Sequence, residues 1–319
     1  GPMAVMEMRL GSAGAVLGRF YALFALLMAF AMGAMAQSGA LADTFFAAFT
    51  LPRWRVGLVT AVLALAILLG GIRRIAEIST VLVPVMALLY LGGGLAVILG
   101  NLRRLPEALI LMLRCAVAPE AALGGALGIV TRREALRWGV ARSVFSNEAG
   151  LGSAAITAAC ADTDEPVKQG LISMTGVFFD TMVICTVTGL TICCSGTLGA
   201  ADGNGLPLTG AALTLRAFET VLGPLAPWLI GAALGLFAFT SVLGCAVQAE
   251  TTASYLLGPE AVRPCRVLYG LAVFVGAVIP MATVLQLADL ANALMAFSNL
   301  VCLLLLSGEI AGECGRKER

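Results

Sequence analysis

The sequence FSNEAGLGSA, Phe145–Ala154, interrupts a long apolar region with polar side chains and helix-weakening glycines. The polar residues and glycines are Ser146, Asn147, Glu148, Gly150 and Gly152. Irregular backbone at membrane depth persists only where it lines a cavity or is buried in protein. The stretch therefore predicts a broken membrane helix, and the alternative is a glycine-softened kink or an interfacial helix entry.

The composition is that of a polytopic, all-α membrane protein. The 319 residues are 60% hydrophobic and 12% charged, and the mean hydropathy is +0.96, whereas soluble domains carry about 25% charged residues. A net charge of +1 with no basic block argues against a nucleic-acid partner. Histidine is absent and the nine cysteines include no CxxC pair, which removes most zinc, haem and histidine-dependent catalytic chemistry.

Apolar runs close to the ~20 residues that cross a bilayer predict eight spans. They cover about 20–50, 56–71, 78–100, 134–160, 167–195, 225–257, 266–281 and 283–307. Two further segments, Glu107–Pro119 and Leu208–Gly223, mix charges with apolar residues at helical spacing. That pattern is typical of interfacial or re-entrant helices.

Polar groups inside the predicted spans are candidates for function, because each is costly at membrane depth unless it is paired or wet. Gln37 lies one helical turn after Gly33, whose missing side chain lets a neighbour or a ligand approach. Asp180 lies near the middle of its span, beside Thr181. For both residues, a structural hydrogen bond between helices is the alternative to a role in binding.

The hydroxyls of Thr240 and Ser241 follow a small-residue surface in the span 225–257. Hard cations such as Na⁺ prefer oxygen ligands, although serine and threonine also bond to the carbonyl four residues back. In secondary transporters, a broken helix offers N–H groups to an anionic substrate and freed carbonyls to a cation. The polar stretch and the hydroxyl pair together indicate a transport site.

Six stretches of the chain resemble the alanine or glycine:cation symporter family of amino-acid transporters. GVARSVFSNEAGLGSA, followed by DEPVKQGL and FFDTMV, is similar to the family signature FSNEAGLGSAPIAHAAA with EPVRQG and an IDT-type stretch. GPMAVMEM is similar to GGPMYYIE, MAQSGALAD to MVQANSIAD, and FAFTSVLGCAVQAE to FAFSTILGWSYYGE. The resemblance covers essentially the whole chain.

The resemblance implies a LeuT-type bundle with two inverted repeats, in which the first helix of each repeat is broken. The chain would then be one transmembrane domain: 1–107 forms core helices three to five, and 108–319 forms core helices six to ten. Because GPMAVMEM matches a motif that follows the second core helix, Gly1 and Pro2 are expected to be native sequence and the chain to be N-terminally incomplete.

The resemblance also implies a site for a small neutral amino acid, alanine or glycine, and for Na⁺ or H⁺ as the coupling ion, with no cofactor and no catalytic residue. The expected substrate-binding residues are Gln37, Ser146, Asn147, Gly150 and Gly152. Thr240 and Ser241 are expected to bind the cation, and Glu148 and Asp180 to have a coupling or a structural polar role.

The chain departs from the family pattern near this site. Alanine stands at 155, where the family has proline, and at 158, where it has histidine. Ala34 and Gly39 replace two asparagines, Cys245 replaces a tryptophan, and Val247 and Gln248 replace two tyrosines. These changes predict a larger cavity with fewer hydrogen-bonding groups.

Two alternatives to a multi-pass symporter of the plasma membrane remain open. One is a truncated, transport-inactive remnant of such a symporter, which the eroded motifs favour. The other is an intramembrane aspartyl protease that uses Asp180 with a second carboxylate such as Asp289, which requires two aspartates to lie together.

Overall fold

The protein is a bundle of long helices, several of which continue directly into the next. The structure, a computed structural model, describes residues 1–117 and 132–316 apart from positions 149, 164, 202 and 204. The first helices are α1 (Pro2–Met28), α2 (Gln37–Phe49), α3 (Arg53–Leu68), α4 (Gly71–Gly100) and α5 (Leu105–Val117). They are followed by α6 (Arg132–Asn147), α7 (Ser153–Ala158), α8 (Pro166–Val177), α9 (Cys185–Ser195), α10 (Gly210–Leu222), α11 (Ala226–Leu257), α12 (Val262–Val278), α13 (Met281–Leu305) and α14 (Ser307–Arg316).

Two π-helical segments lie inside long helices. Ala29–Ala36 joins α1 to α2, and Phe178–Ile184 joins α8 to α9. The wider π turn is rare and frequently occurs at functional sites. The second segment contains Asp180, which was predicted to have a coupling or a structural polar role.

Within the described residues, six helical stretches are long and apolar enough to cross a membrane. They are Pro2–Phe49, Gly71–Gly100, Pro166–Ser195, Gly210–Leu257, Pro259–Val278 and Met281–Leu305. This confirms a multi-pass, all-helical membrane protein. The predicted number of eight spans is not confirmed, and the LeuT-type arrangement and the division into repeats at 107 and 108 stay predictions.

The two remaining predicted spans differ from the six in simple ways. The span 56–71 corresponds to α3, which has 16 residues and at ~1.5 Å per residue is shorter than the ~30 Å hydrocarbon core of a bilayer. The span 134–160 is divided between α6 and α7. Residue 149, inside the predicted break, lies outside the described residues.

Both segments predicted to be interfacial contain short helices. The segment 107–119 overlaps α5, although its last two residues lie outside the described part of the chain. The segment 208–223 contains α10, whose Leu215 and Phe218 are buried and pack against a cluster that includes Tyr90 and Ile230. Each helix has 13 residues, so neither crosses a bilayer alone.

Prolines and glycines set several helix boundaries. Pro52 and Pro280 precede α3 and α13 with extended backbone, since proline fixes φ and favours the start of a helix. Gly196 ends α9 with φ 74°, a left-handed conformation that glycine adopts at little cost. Gly11 interrupts α1 with φ 62° and ψ −138°, which separates the first turns from the rest of that helix.

A large apolar cluster joins the N-terminal helix, the interruption after α6, and α13. Met6, Tyr21, Leu151, Ile156 and Met295 belong to it and are almost completely buried. A bilayer offers no hydrophobic driving force between helices, so close packing holds such clusters together. Leu151 and Ile156 thereby fix the chain on either side of Gly152 to the body of the bundle.

An ion pair connects α11 to α12. The guanidinium of Arg266 donates from Nε and Nη2 to the two carboxylate oxygens of Glu250, each at 2.8 Å. Both side chains are mostly buried, with 21% and 18% exposed. The two parallel hydrogen bonds fix the angle between the partners as well as their distance.

Candidate functional site

The predicted interruption is present between α6 and α7. The first helix ends at Asn147 and the second begins at Ser153. Positive φ angles occur at Glu148 (55°), Gly150 (80°) and Gly152 (79°). Glycine adopts such angles freely, but a glutamate there is strained, and strained residues cluster at binding sites.

Side chains from two other helices bind one carbonyl within the interruption and one in the first turn of α7. Asn299 Nδ2 of α13 donates to Gly150 O at 2.9 Å, and Gln248 Nε2 of α11 donates to Ser153 O at 3.5 Å. The Ser153 hydroxyl also donates to the carboxylate of Glu148. Both carbonyls therefore already have partners within the protein.

The backbone N–H groups at the interruption differ from the carbonyls. Leu151 N donates to Glu148 O at 3.1 Å, but the N–H groups of Gly150 and Gly152 have no acceptor among the described residues. Unpaired N–H groups attract anions, including carboxylates. The interruption thus offers donors rather than acceptors to a ligand.

The polar residues just before the interruption face the π-helical segment Phe178–Ile184. Ser146 Oγ donates to Asp180 Oδ2 at 3.3 Å, and Asn147 Nδ2 donates to Thr181 Oγ1 at 3.4 Å. The Ser146 hydroxyl also lies 3.7 Å from the thiol of Cys185. Three predicted polar residues, Ser146, Asn147 and Asp180, are therefore neighbours in space.

A second group of predicted residues lines a separate cavity of about 300 Å³. Gln37 of α2 and Ser241 of α11 both face it. The other polar lining residues are Thr44, Tyr90, Thr188 and Thr214. Neither the Gln37 amide nor the Ser241 hydroxyl makes a side-chain hydrogen bond within the described residues, so both are available to a ligand.

The two hydroxyls predicted to bind the cation have different surroundings. Thr240 Oγ1 donates to the carbonyls of Leu236 and Phe237, at 2.9 and 3.0 Å, which is the back-bonding common for threonine in helices. Ser241, the next residue, lines the cavity. The structure therefore brings Ser241, but not Thr240, to the cavity that contains Gln37.

The space beside Gly33, one turn before Gln37, is filled by a neighbouring residue. A Cβ at Gly33 would lie 2.1 Å from Cys245 Cβ. Cys245, which stands where the resemblance expects tryptophan, is one turn after Ser241. The close approach of α11 to the segment Ala29–Ala36 therefore depends on a small residue at 33.

The aspartates of the protease alternative have separate partners. Asp289 accepts hydrogen bonds from Arg142 Nη2 at 2.6 and 2.7 Å, whereas Asp180 accepts one from Ser146. An aspartyl dyad needs two carboxylates that share a proton. The two residues therefore do not form the pair on which that alternative depended.

Sequence reasoning missed Asn299, Tyr90 and Thr188. Asn299 lies in the last predicted span, where an amide in an apolar helix was itself a signal that polar groups at membrane depth have a role. Tyr90 Oη lies 2.8 Å from Thr188 Oγ1. The Thr188 hydroxyl itself donates to Ile184 O at 2.7 Å. Tyr90 is therefore the donor to Thr188, a pairing between residues 98 positions apart that no local pattern predicts.

Comparisons with known proteins give one consistent result. The model of the sodium:alanine symporter family matches residues 1–315. An uncharacterized transporter of Haemophilus influenzae is 40% identical over 306 residues, which are 95% of this chain and 65% of that protein. The sodium/alanine symporter AgcS of Methanococcus maripaludis is 38% identical over 315 residues, 98% of this chain and 68% of that protein.

A third relative is named for a different substrate. The probable sodium/glutamine symporter GlnT of Bacillus subtilis is 38% identical over 291 residues, 90% of this chain and 59% of that protein. The chain thus spans about two thirds of the length of the curated relatives it matches. The family is one of transporters, not of enzymes. On the extent of these matches, the chain belongs to the sodium:alanine symporter family.

Proposed function

We propose that the protein is a secondary active symporter, which moves a small neutral amino acid of the alanine or glycine type with Na⁺ across the cell membrane by alternating access. Na⁺ is the coupling ion in this proposal, H⁺ is the alternative ion, and no organic cofactor takes part. The names of the relatives support cation-coupled amino-acid transport. Because one of those names specifies glutamine, alanine or glycine as the substrate is a narrower proposal than cation-coupled amino-acid transport.

The observation that carries the proposal is the cavity shared by Gln37 and Ser241. Two helices contribute an amide and a hydroxyl that make no hydrogen bond within the described residues, in a space of about 300 Å³. A hydroxyl oxygen is a ligand that Na⁺ accepts, and an amide oxygen suits an ammonium group. In this proposal Ser241 binds the cation and Gln37 binds the ammonium of the amino acid.

The interruption between α6 and α7 lies outside the cavity of Gln37 and Ser241, and in this proposal alternating access brings the two together around one amino acid. Among the described residues the N–H groups of Gly150 and Gly152 have no acceptor, and they suit the carboxylate of the amino acid because each donates toward negative charge. Glu148 lies within the same interruption, and Asp180 accepts a hydrogen bond from Ser146 just before it. Carboxylates at these positions suit a site that takes up a cation together with its substrate.

The full-length protein, reconstituted in proteoliposomes, tests the proposal. Uptake of radiolabelled alanine or glycine should follow an inward Na⁺ gradient and stop when the gradient is dissipated. Uptake that is indifferent to both Na⁺ and H⁺ would reject cation coupling. No uptake of any neutral amino acid, by protein that is folded, would favour the transport-inactive remnant.

Adjacent hydroxyls provide a matched pair of variants. Ser241→Ala should raise the Na⁺ concentration for half-maximal uptake about tenfold, because it removes a ligand from the cavity. Thr240→Val should change that concentration less than about twofold, since the Thr240 hydroxyl is already bonded to its own helix. Equal effects of the two substitutions would contradict the assignment of Ser241.

A further inference from the structure

One helix contacts the chain both before the interruption and within it. Asp289 of α13 pairs with Arg142 of α6, and Asn299 of the same helix donates to Gly150 O. About 15 Å of helix separates Asp289 from Asn299 at ~1.5 Å per residue. α13 therefore spans the region where α6 ends and the irregular backbone begins.

The contact at Asn299 is buried and closely fitted. The side chain is 6% exposed, and its Nδ2 lies 2.9 Å from Gly150 O. A Cβ at Gly152 would lie 2.9 Å from both Cγ and Oδ1 of Asn299. The amide therefore fills the space beside the second glycine while it bonds to the first.

The peptide unit between Gly150 and Leu151 is held at both of its polar ends. Asn299 binds its carbonyl, and its N–H donates to Glu148 O at 3.1 Å. Because a peptide unit is planar, two such bonds fix the orientation of the whole unit. The directions of the neighbouring N–H groups of Gly150 and Gly152 follow from that orientation.

We infer that Asn299 is a positioning residue for the amino-acid site: by holding the Gly150–Leu151 peptide, it aims the free N–H groups of Gly150 and Gly152 at the substrate carboxylate. This role rests on the proposed function, because it concerns the binding of an amino acid. It assigns to α13 a part in substrate binding without contact between Asn299 and the substrate. Pre-organised donors bind more tightly because less order is lost when the ligand arrives.

The chain contains a matched control for Asn299. Asn292 lies seven residues earlier on α13 and thus on a similar face. Its side chain is also mostly buried, with 7% exposed, and its Oδ1 has no hydrogen-bond partner among the described residues. The same substitution at 292 therefore changes α13 equally but leaves the interruption untouched.

The experiment compares Asn299→Leu with Asn292→Leu in the full-length protein by hydrogen–deuterium exchange. Loss of one hydrogen bond should speed exchange of the backbone amides at 148–156 about five- to tenfold in Asn299→Leu. In proteoliposomes the KM for the amino acid should rise by a similar factor, with kcat changed less than about twofold. Asn292→Leu should leave both quantities unchanged. Asn299→Asp, which preserves the shape of the side chain, repeats the test if the leucine variant does not fold.

Each other outcome has a definite meaning. Unchanged exchange at 148–156 in Asn299→Leu overturns the inference, as does faster exchange with an unchanged KM. Equal changes in the 292 and 299 variants overturn it too, because they indicate a general loosening of α13. If the wild-type protein neither transports nor binds any amino acid, the proposed function is refuted instead. The exchange comparison still decides whether Asn299 holds the Gly150–Leu151 peptide.

Discussion

Substitution of Gly152 by alanine tests the geometry of the interruption most directly. The backbone there has φ 79°, and the new Cβ would lie 2.9 Å from atoms of Asn299 and Pro2. A left-handed conformation costs about 1–2 kcal/mol for an alanine. The displaced Asn299 amide also loses its bond to Gly150 O, which is worth about 1 kcal/mol. We therefore expect Gly152→Ala to lower the free energy of unfolding by about 2–3 kcal/mol.

The assay is a dodecyl sulfate titration of the full-length protein in mixed micelles, with helicity as the signal. Gly92→Ala is the control, because that glycine lies inside α4 and nothing lies within 4 Å of its added Cβ. The control should be neutral or up to about 1 kcal/mol more stable, since alanine is the better helix former. If Gly152→Ala unfolds within about 0.5 kcal/mol of the wild type, the interruption does not have the conformation and contacts described here.

Three further predictions concern side-chain pairs. Glu250→Gln should lower the free energy of unfolding by about 2 kcal/mol because it leaves Arg266 without its charged partner, and combining it with Arg266→Met should restore most of that loss in the same titration. Reversal of the charge at either Arg142 or Asp289 should reduce uptake, and exchange of the two charges in one double variant should recover it. The coupling energy should be only about 0.5–1 kcal/mol because the pair is partly exposed. No recovery in the double variant would show that the pair does not act as a unit. Tyr90→Phe should cost about 1 kcal/mol in the titration by removing the bond to its threonine partner, and a stability equal to that of the wild type would mean that this bond contributes nothing.

The parts of the fold that depend on local composition were predictable from the sequence. Apolar runs gave most of the spans, and the glycines at 150 and 152 located the interruption. The first span was predicted to begin at 20, but α1 begins at Pro2 and is broken by non-helical backbone at Gly11. Arg9 and other polar residues obscure the apolar face formed by Met3 and Met6, so composition did not predict the helical turns before this break.

The features that depend on distant residues could not be predicted. A π-helical turn such as Phe178–Ile184 has no sequence signature of its own, because packing selects it over the α-helical turn. Asn299 and Gly150 are separated by 149 positions, and only the folded bundle brings them together. Likewise, the sequence predicted both Thr240 and Ser241 as cation ligands, and only the structure shows that Ser241 lines the cavity.

The helical stretch Pro166–Ser195 is attached to the rest of the described protein in an unusual way. Only 11% of its most apolar window is buried, and its contacts with α6 include two hydrogen bonds of 3.3 and 3.4 Å at Asp180 and Thr181. In a bilayer, a helix that withdraws from its neighbour exchanges protein contacts for equally apolar lipid tails. Separation of this stretch from α6 therefore costs mainly those two hydrogen bonds, because lipid tails replace the apolar contacts that are lost.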